Sequence, residues 1–252
     1  MKKITLSFIL ILALFSCSKS NTDSPSPAVT APVTVNSRVV AASGFNYKEF
    51  YQPTASAATR KGLVILAHGD GGSEQDATLN EQCTALAREG YVAITTSYRS
   101  LNGSWDNQGA RFKEDMEYVL TNAGTLYMIA RNRSILGGIS RGGNMTMALV
   151  LPNGQFAGTA PFTGIGGVLL QCSGGDQWKG SAVLYPVAFM SNQVDPTMGV
   201  VNANDFKTGL QSNMNPSVSA KSECLIYPST GHCSDGSQNL AFMIKKVTEW
   251  LP

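Results

Sequence analysis

GGISRGGN, residues 137–144, is the stretch on which the fold turns. Its central serine, Ser140, has a glycine two positions away on either side, Gly138 and Gly142. An apolar run, SILGGIS (134–140), leads into it, and a second, RGGNMTMALVL (141–151), leads out. The first is short and bounded like a buried strand, and the second carries helical spacing. Glycines at such a junction allow a turn too sharp for side chains. The spacing therefore predicts a strand–turn–helix unit with the Ser140 hydroxyl held out at the apex.

The same alternation extends in both directions. Runs rich in β-branched residues and bounded by Gly, Pro or Asn predict strands at 62–68, 91–98, 167–173, 186–192 and 223–228. Helical spacing appears at 77–90, with Leu79, Cys83 and Leu86 on one face and Gly90 as its C-cap. It appears again at 112–124, also ending in glycine, and at 240–251. Residues 38–53 supply one antiparallel edge pair. Alternating strand and helix over this length predicts an α/β three-layer sandwich: a mostly parallel central sheet with helices on both faces.

Gly138-Ile139-Ser140-Arg141-Gly142 is a G-x-S-x-G motif in the context that the motif needs. A serine hydroxyl is a poor nucleophile at neutral pH and requires a base. The chain has two histidines. His68 ends a predicted strand, where a hydrogen bond to the following turn is its expected role. His232 lies in the loop after the last strand, from which an imidazole can reach the C-terminal ends of the central strands. Asp195 directly follows the strand at 186–192 and is the expected acid; Asp176 and Asp205 are its rivals. Asp115 is expected to brace the fold.

The serine–acid–histidine order 140, 195, 232 resembles the α/β-hydrolase superfamily over about residues 45–252, and most closely its dienelactone-hydrolase-like and secreted esterase branch. The segments SYR (97–99) and EDMEYVL (114–120) resemble those of acetyl xylan and feruloyl esterase relatives. The resemblance implies Ser140 as nucleophile, His232 as base and then acid, and Asp195 as the residue that orients the imidazole. HGDGG (68–72) resembles the family's H-G-G-G turn, with Asp70 as a departure. The oxyanion hole is therefore expected from the backbone N–H of Arg141 together with that of Asp70, or else Gly71, with the Asp70 carboxylate turned away. Trp105 and Trp178, in loops at the rim of the sheet, are expected to meet an acyl group or sugar ring, or else to pack on their own loops.

The implied activity is hydrolysis of carboxylic esters, such as acetyl or feruloyl esters on polysaccharide or other short-acyl or polyester substrates. A serine peptidase of the same fold and a non-catalytic carbohydrate-binding lipoprotein are the competing classes. No cofactor is expected, since the clustered glycines of 158–167 precede a strand, and two assigned histidines leave no zinc set.

The amino end, MKKITLSFILILALFSC, has the shape of an export signal, and its close resembles a bacterial lipobox. That implies a signal peptide at 1–16, a lipidated Cys17 opening a Ser/Thr/Pro/Ala-rich tether to residue 37, and a catalytic domain at 38–252, anchored to a bacterial membrane and facing the periplasm or the surface. Without the leader, Lys plus Arg falls from 19 to 17 and equals Asp plus Glu, which argues against a nucleic-acid partner. Four further cysteines in an exported chain suggest disulfides with three possible pairings, of which Cys224–Cys233 with Cys83–Cys172 is favoured, or else some of them remain buried free thiols.

Overall fold

The computed structural model describes residues 32–99, 104–197, 201–233 and 236–252. Its centre is a run of short strands, buried throughout except for the half-buried Ile139: β3 (Leu63–Ala67), β4 (Val92–Thr96), β5 (Ser134–Ile139) and β6 (Gly167–Gln171). Ahead of them, β1 (Asn36–Ala42) and β2 (Phe45–Tyr51) form the expected antiparallel hairpin, and β2 is antiparallel to β4. β7 (Val187–Asp195), β8 (Val201–Asn202) and β9 (Glu223–Thr230) complete the sheet. The order is β1-β2-β4-β3-β5-β6-β7, with β9 parallel to β7 and β8 pairing antiparallel with the end of β7.

Strand side chains alternate between two cores, which is why the strand segments read as continuous apolar runs. Leu63, Ile65, Leu136, Val168 and Leu170 face one core. There they meet Phe112 and Met116 of α2 (Trp105–Tyr127) and Met145 of α3 (Arg141–Ala148). Val64, Leu66, Ile135 and Leu169 face the other. Leu79, Cys83 and Leu86 of α1 (Ala77–Arg88), with Met243 and Val247 of α7 (Gly236–Trp250), cover them. Each buried Leu, Ile, Val or Met contributes about 1.5–3 kcal/mol relative to exposure. Three short helices, α4 (Gln177–Ala182), α5 (Ala203–Gln211) and α6 (Pro216–Lys221), lie between the later strands.

Two helix boundaries differ from the sequence expectation. α2 starts seven residues before Phe112, capped by the Ser104 hydroxyl, and runs past Gly124 to Tyr127. A Cβ at Gly109 would lie 2.0 Å from the Phe156 ring, so this mid-helix glycine is a packing device and no break. Gly124 accepts the Ile129 N–H, and the left-handed cap residue is Met128 (φ 54°).

A disulfide is present, but the expected pairing is overturned. The bond joins Cys172 to Cys233, and Cys83 and Cys224 are free thiols. Cys224 is the second residue of β9 and Cys233 lies beyond its far end. From Cys224 the extended strand runs six residues to Thr230, about 20 Å at ~3.3 Å per residue, and the loop beyond it returns Cys233 to Cys172 at the end of β6 instead. Burial pushes the Cys224 thiol up to about 12 and raises the Cys83 thiol as well. Neither is a ready nucleophile.

Candidate active site

Strand order reverses around β3: the chain runs from β3 out to β4 on one side and then crosses back to β5 on the other. A crevice opens at such a switch point, at the carboxyl ends of the strands. Ser140 stands there, between β5 and α3, with φ 51° and ψ −118°. That conformation is costly for a side-chain-bearing residue. The two motif glycines allow it. A Cβ at Gly142 would lie 2.4 Å from the His68 carbonyl oxygen, and one at Gly138 would lie 2.7 Å from that of Ala67. The Ser140 N–H donates to the Gln171 carbonyl at the end of β6 (2.8 Å), and its own carbonyl accepts the Asn144 N–H (2.9 Å).

His232, in the loop after β9, reaches the same crevice. Its Nε2 lies 2.8 Å from the Ser140 Oγ, and its Nδ1 lies 2.6 Å from the Asp195 Oδ2. Asp195 ends β7 and is fully buried, and its second oxygen accepts the Thr197 N–H at 3.0 Å. An ionised carboxylate only accepts hydrogen bonds, so Nδ1 carries the proton. Nε2 then presents its lone pair to the Ser140 hydroxyl. Three residues far apart in the chain are thus joined in one donor–acceptor line, the arrangement that acyl transfer through a serine requires.

The rival acids are placed elsewhere. Asp176 caps α4 by accepting the Lys179 N–H, and Asp205 sits in the first turn of α5. Asp115, buried on α2, receives both the backbone N–H and the Nε–H of Arg99 and braces the loop after β4. His68 stacks on Tyr98, with ring centres 4.3 Å apart, and pairs its Nδ1 with the Gly69 carbonyl. A carbonyl oxygen only accepts, so Nδ1 donates that bond, and burial lowers the imidazole below its ordinary value of 6.5.

A cavity of about 340 Å³ opens over the Ser140–His232 pair, bounded by Gly69, Asp70, Gly72, Ile139, Thr197 and Cys233. The Gly72 N–H closes the 69–72 turn on the Gly69 carbonyl at 3.2 Å. Asp70 is in the cavity wall, and Gly71, at φ 71°, is not. Arg141 is the first residue of α3, where a backbone N–H has no partner within the helix. Its guanidinium bridges the Asp70 carboxylate and the Gln108 amide oxygen, both at 2.8 Å. The Asp70 charge is thereby turned to solvent. Trp178 is exposed on α4 and does not border the cavity. Trp105 opens α2, but its side chain lies outside the described residues, as does Cys17. Among the described residues no cluster of three or more metal-ligating side chains occurs. A second cavity, of about 290 Å³ beside Leu120 and Ile129, is bordered by no serine, cysteine or histidine.

No protein-family model and no curated protein matches the sequence. Solved structures do. Esterase 2 of Thermogutta terrifontis, phosphorylated by paraoxon, superposes with a TM-score of 0.63 at 17% identity, covering 85% of this chain and 94% of that one. A putative dienelactone hydrolase from Klebsiella pneumoniae gives 0.61 at 13% identity, over 86% and 98%. A dienelactone-hydrolase-like promiscuous phosphotriesterase from metagenomic libraries gives 0.64 at 11% identity, over 86% and 99%. With this strand order, these layers and these structural neighbours, the chain has the α/β-hydrolase fold.

Proposed function

We propose that the protein is a serine hydrolase of carboxylic esters. The observation that carries the reading is the unbroken line from Ser140 Oγ through His232 to buried Asp195, set in a strained turn over an open cavity. Ser140 attacks the ester carbonyl carbon as its proton passes to His232 Nε2. Negative charge builds on the carbonyl oxygen, where the N–H groups of Arg141 and Asp70 receive it. The tetrahedral species collapses, and the alcohol leaves with the proton from His232. Water then attacks the acyl carbon as it gives a proton to His232, and on collapse His232 returns that proton to the Ser140 Oγ, which leaves as the free hydroxyl with release of the acid product. Asp195 holds the tautomer and stabilises the imidazolium throughout.

A cavity of about 340 Å³ lies at the small end for ligand sites and favours a short acyl group. The export-like leader and the disulfide support an exported, lipid-anchored protein. Hydrolysis of p-nitrophenyl acetate, butyrate and octanoate by the domain, beside Ser140→Ala, is the test. Turnover that falls with chain length and vanishes in the variant, by about 10⁶ in kcat, is the expected result. A folded wild type that neither hydrolyses these esters nor labels with a fluorophosphonate would overturn the reading.

A further inference from the structure

The Cys172–Cys233 bond is placed where a general structural staple would have no reason to be. Cys172 directly follows Gln171, whose carbonyl accepts the Ser140 N–H at 2.8 Å. Cys233 directly follows His232 and forms part of the cavity wall. The bond therefore links the peptide unit that holds the serine to the peptide unit that carries the imidazole. Both cysteines have left-handed backbones, φ 49° and 52°, a region that non-glycine residues enter only when surroundings impose it.

Besides the bonds of the His232 ring to Asp195 and Ser140, the backbone ties of the histidine loop come from the β9 side. The Gly231 N–H donates to the Val194 carbonyl at 3.0 Å, and Thr230 pairs with Val194 across a register shift between Asn192 and Val194. These fix the approach to His232 from β9. On the following side, the first tie to the sheet among the described residues is the disulfide, which joins Cα atoms 5.1 Å apart.

We infer that Cys172 and Cys233 are positioning residues for the reaction: their disulfide sets the His232–Ser140 distance, and its reduction lowers turnover by releasing the histidine loop. The inference rests on the serine hydrolase reading. Cys233 borders the cavity and is half-buried while Cys172 is buried, so the dithiol attack is assigned to Cys233. One dithiol sulfur bonds to Cys233 Sγ while the Cys172 thiolate leaves. The second dithiol sulfur then displaces Cys233 as a thiolate. The disulfide has gained two electrons, the dithiol is oxidised to its own disulfide, and its two protons end on the cysteines.

The test uses the full chain in a Cys17→Ala/Cys83→Ala/Cys224→Ala background, so that every thiol response belongs to the bridge. Hydrolysis of p-nitrophenyl butyrate is followed before and after dithiothreitol, and again after reoxidation. A Cys172→Ala/Cys233→Ala variant is measured alongside. The proton NMR signal of the His232 Nδ1–H, shifted downfield by Asp195, reports the loop directly. Work is done at a temperature where the reduced protein keeps its native far-UV spectrum. Reduction is expected to lower kcat about 10- to 100-fold with KM nearly unchanged, the cost of a misplacement near 1 Å. The downfield signal should broaden or vanish, reoxidation should restore both, and the double-alanine variant should resemble the reduced protein and ignore the reductant. An oxidised protein without esterase activity would sink the hydrolase reading itself. Retention of kcat and of the downfield signal on reduction would overturn only the positioning role. Loss of the whole fold on reduction at every temperature would overturn it too, since the bridge would then be a global staple.

Discussion

The chain's two histidines stand at matching places, each just past the carboxyl end of a parallel strand, and their surroundings give them opposite properties. His68, after β3, is buried, stacked on Tyr98 and committed to the Gly69 carbonyl. His232, after β9, is held at both nitrogens by side chains, a buried carboxylate on one and a hydroxyl on the other. The first ring is held in place by apolar burial, which favours its neutral form. The second is placed so that a proton can pass along it. Residue type and strand-end position are shared; the partners decide the chemistry.

Substituting each in turn should separate them most sharply. His232→Gln is expected to lower kcat by about 10⁶ while leaving thermal stability nearly unchanged. His68→Gln should do the reverse. It forfeits a stacked pair and a backbone hydrogen bond, together about 2 kcal/mol, with a far smaller change in turnover. Steady-state kinetics and melting curves on the two variants check both halves. Comparable kcat losses in the two would break the distinction.

How much of this arrangement is legible in sequence follows the same division between local and distant partners. The turn at Ser140 is written locally, because Gly138 and Gly142 lie where backbone must approach backbone. The short central strands are written locally too, in apolar runs that alternate between two cores. The ends of α2 are not, since Gly109 faces Phe156 nearly fifty residues away, and Gly124 accepts the Ile129 N–H instead of forming the cap. The two-residue strand β8 and the short helices α4 and α6 carry too little periodicity to register. The cysteine pairing was beyond reach for a related reason. Cys172 and Cys233 are 61 residues apart and meet only because β7 lies between β6 and β9 and the loops fold over its end. Nearness in sequence favoured Cys224, which an extended strand carries away. Trp178, expected at the rim, belongs to α4 and faces solvent.

A pH titration of stability extends the comparison at smaller amplitude. The His68 imidazole in the folded chain sits below its ordinary 6.5 because burial disfavours the cation. Below that value the unfolded chain binds a proton that the folded chain refuses, so stability falls as pH drops. The contribution is fully present above about 6.5 and is lost as pH falls through the lower folded value. Denaturant midpoints measured between pH 7 and 5 should therefore decline in the wild type and decline less in His68→Gln. Equal slopes would mean that the buried ring is not the group responsible.

The smallest expected effect lies at Asp70, the departure from the glycine-rich turn. Its carboxylate is 76% exposed and pairs with an Arg141 side chain that is 31% exposed. Such pairs contribute about 0–1 kcal/mol to stability, so Asp70→Asn should barely shift the melting temperature. The same pair joins the two peptide units proposed to receive the oxyanion, one from the β3 turn and one from the first residue of α3. Loosening it should act on the transition state more than on substrate binding. A fall in kcat of about fivefold or less, at unchanged KM, is the expected outcome. Salt distinguishes this from a general disturbance of the turn. An exposed pair is screened at high ionic strength, so added salt should bring wild-type kcat toward that of the variant while the variant itself stays constant. A variant whose turnover still changes with salt as the wild type's does would show that the ion pair plays no part in aligning the two N–H groups.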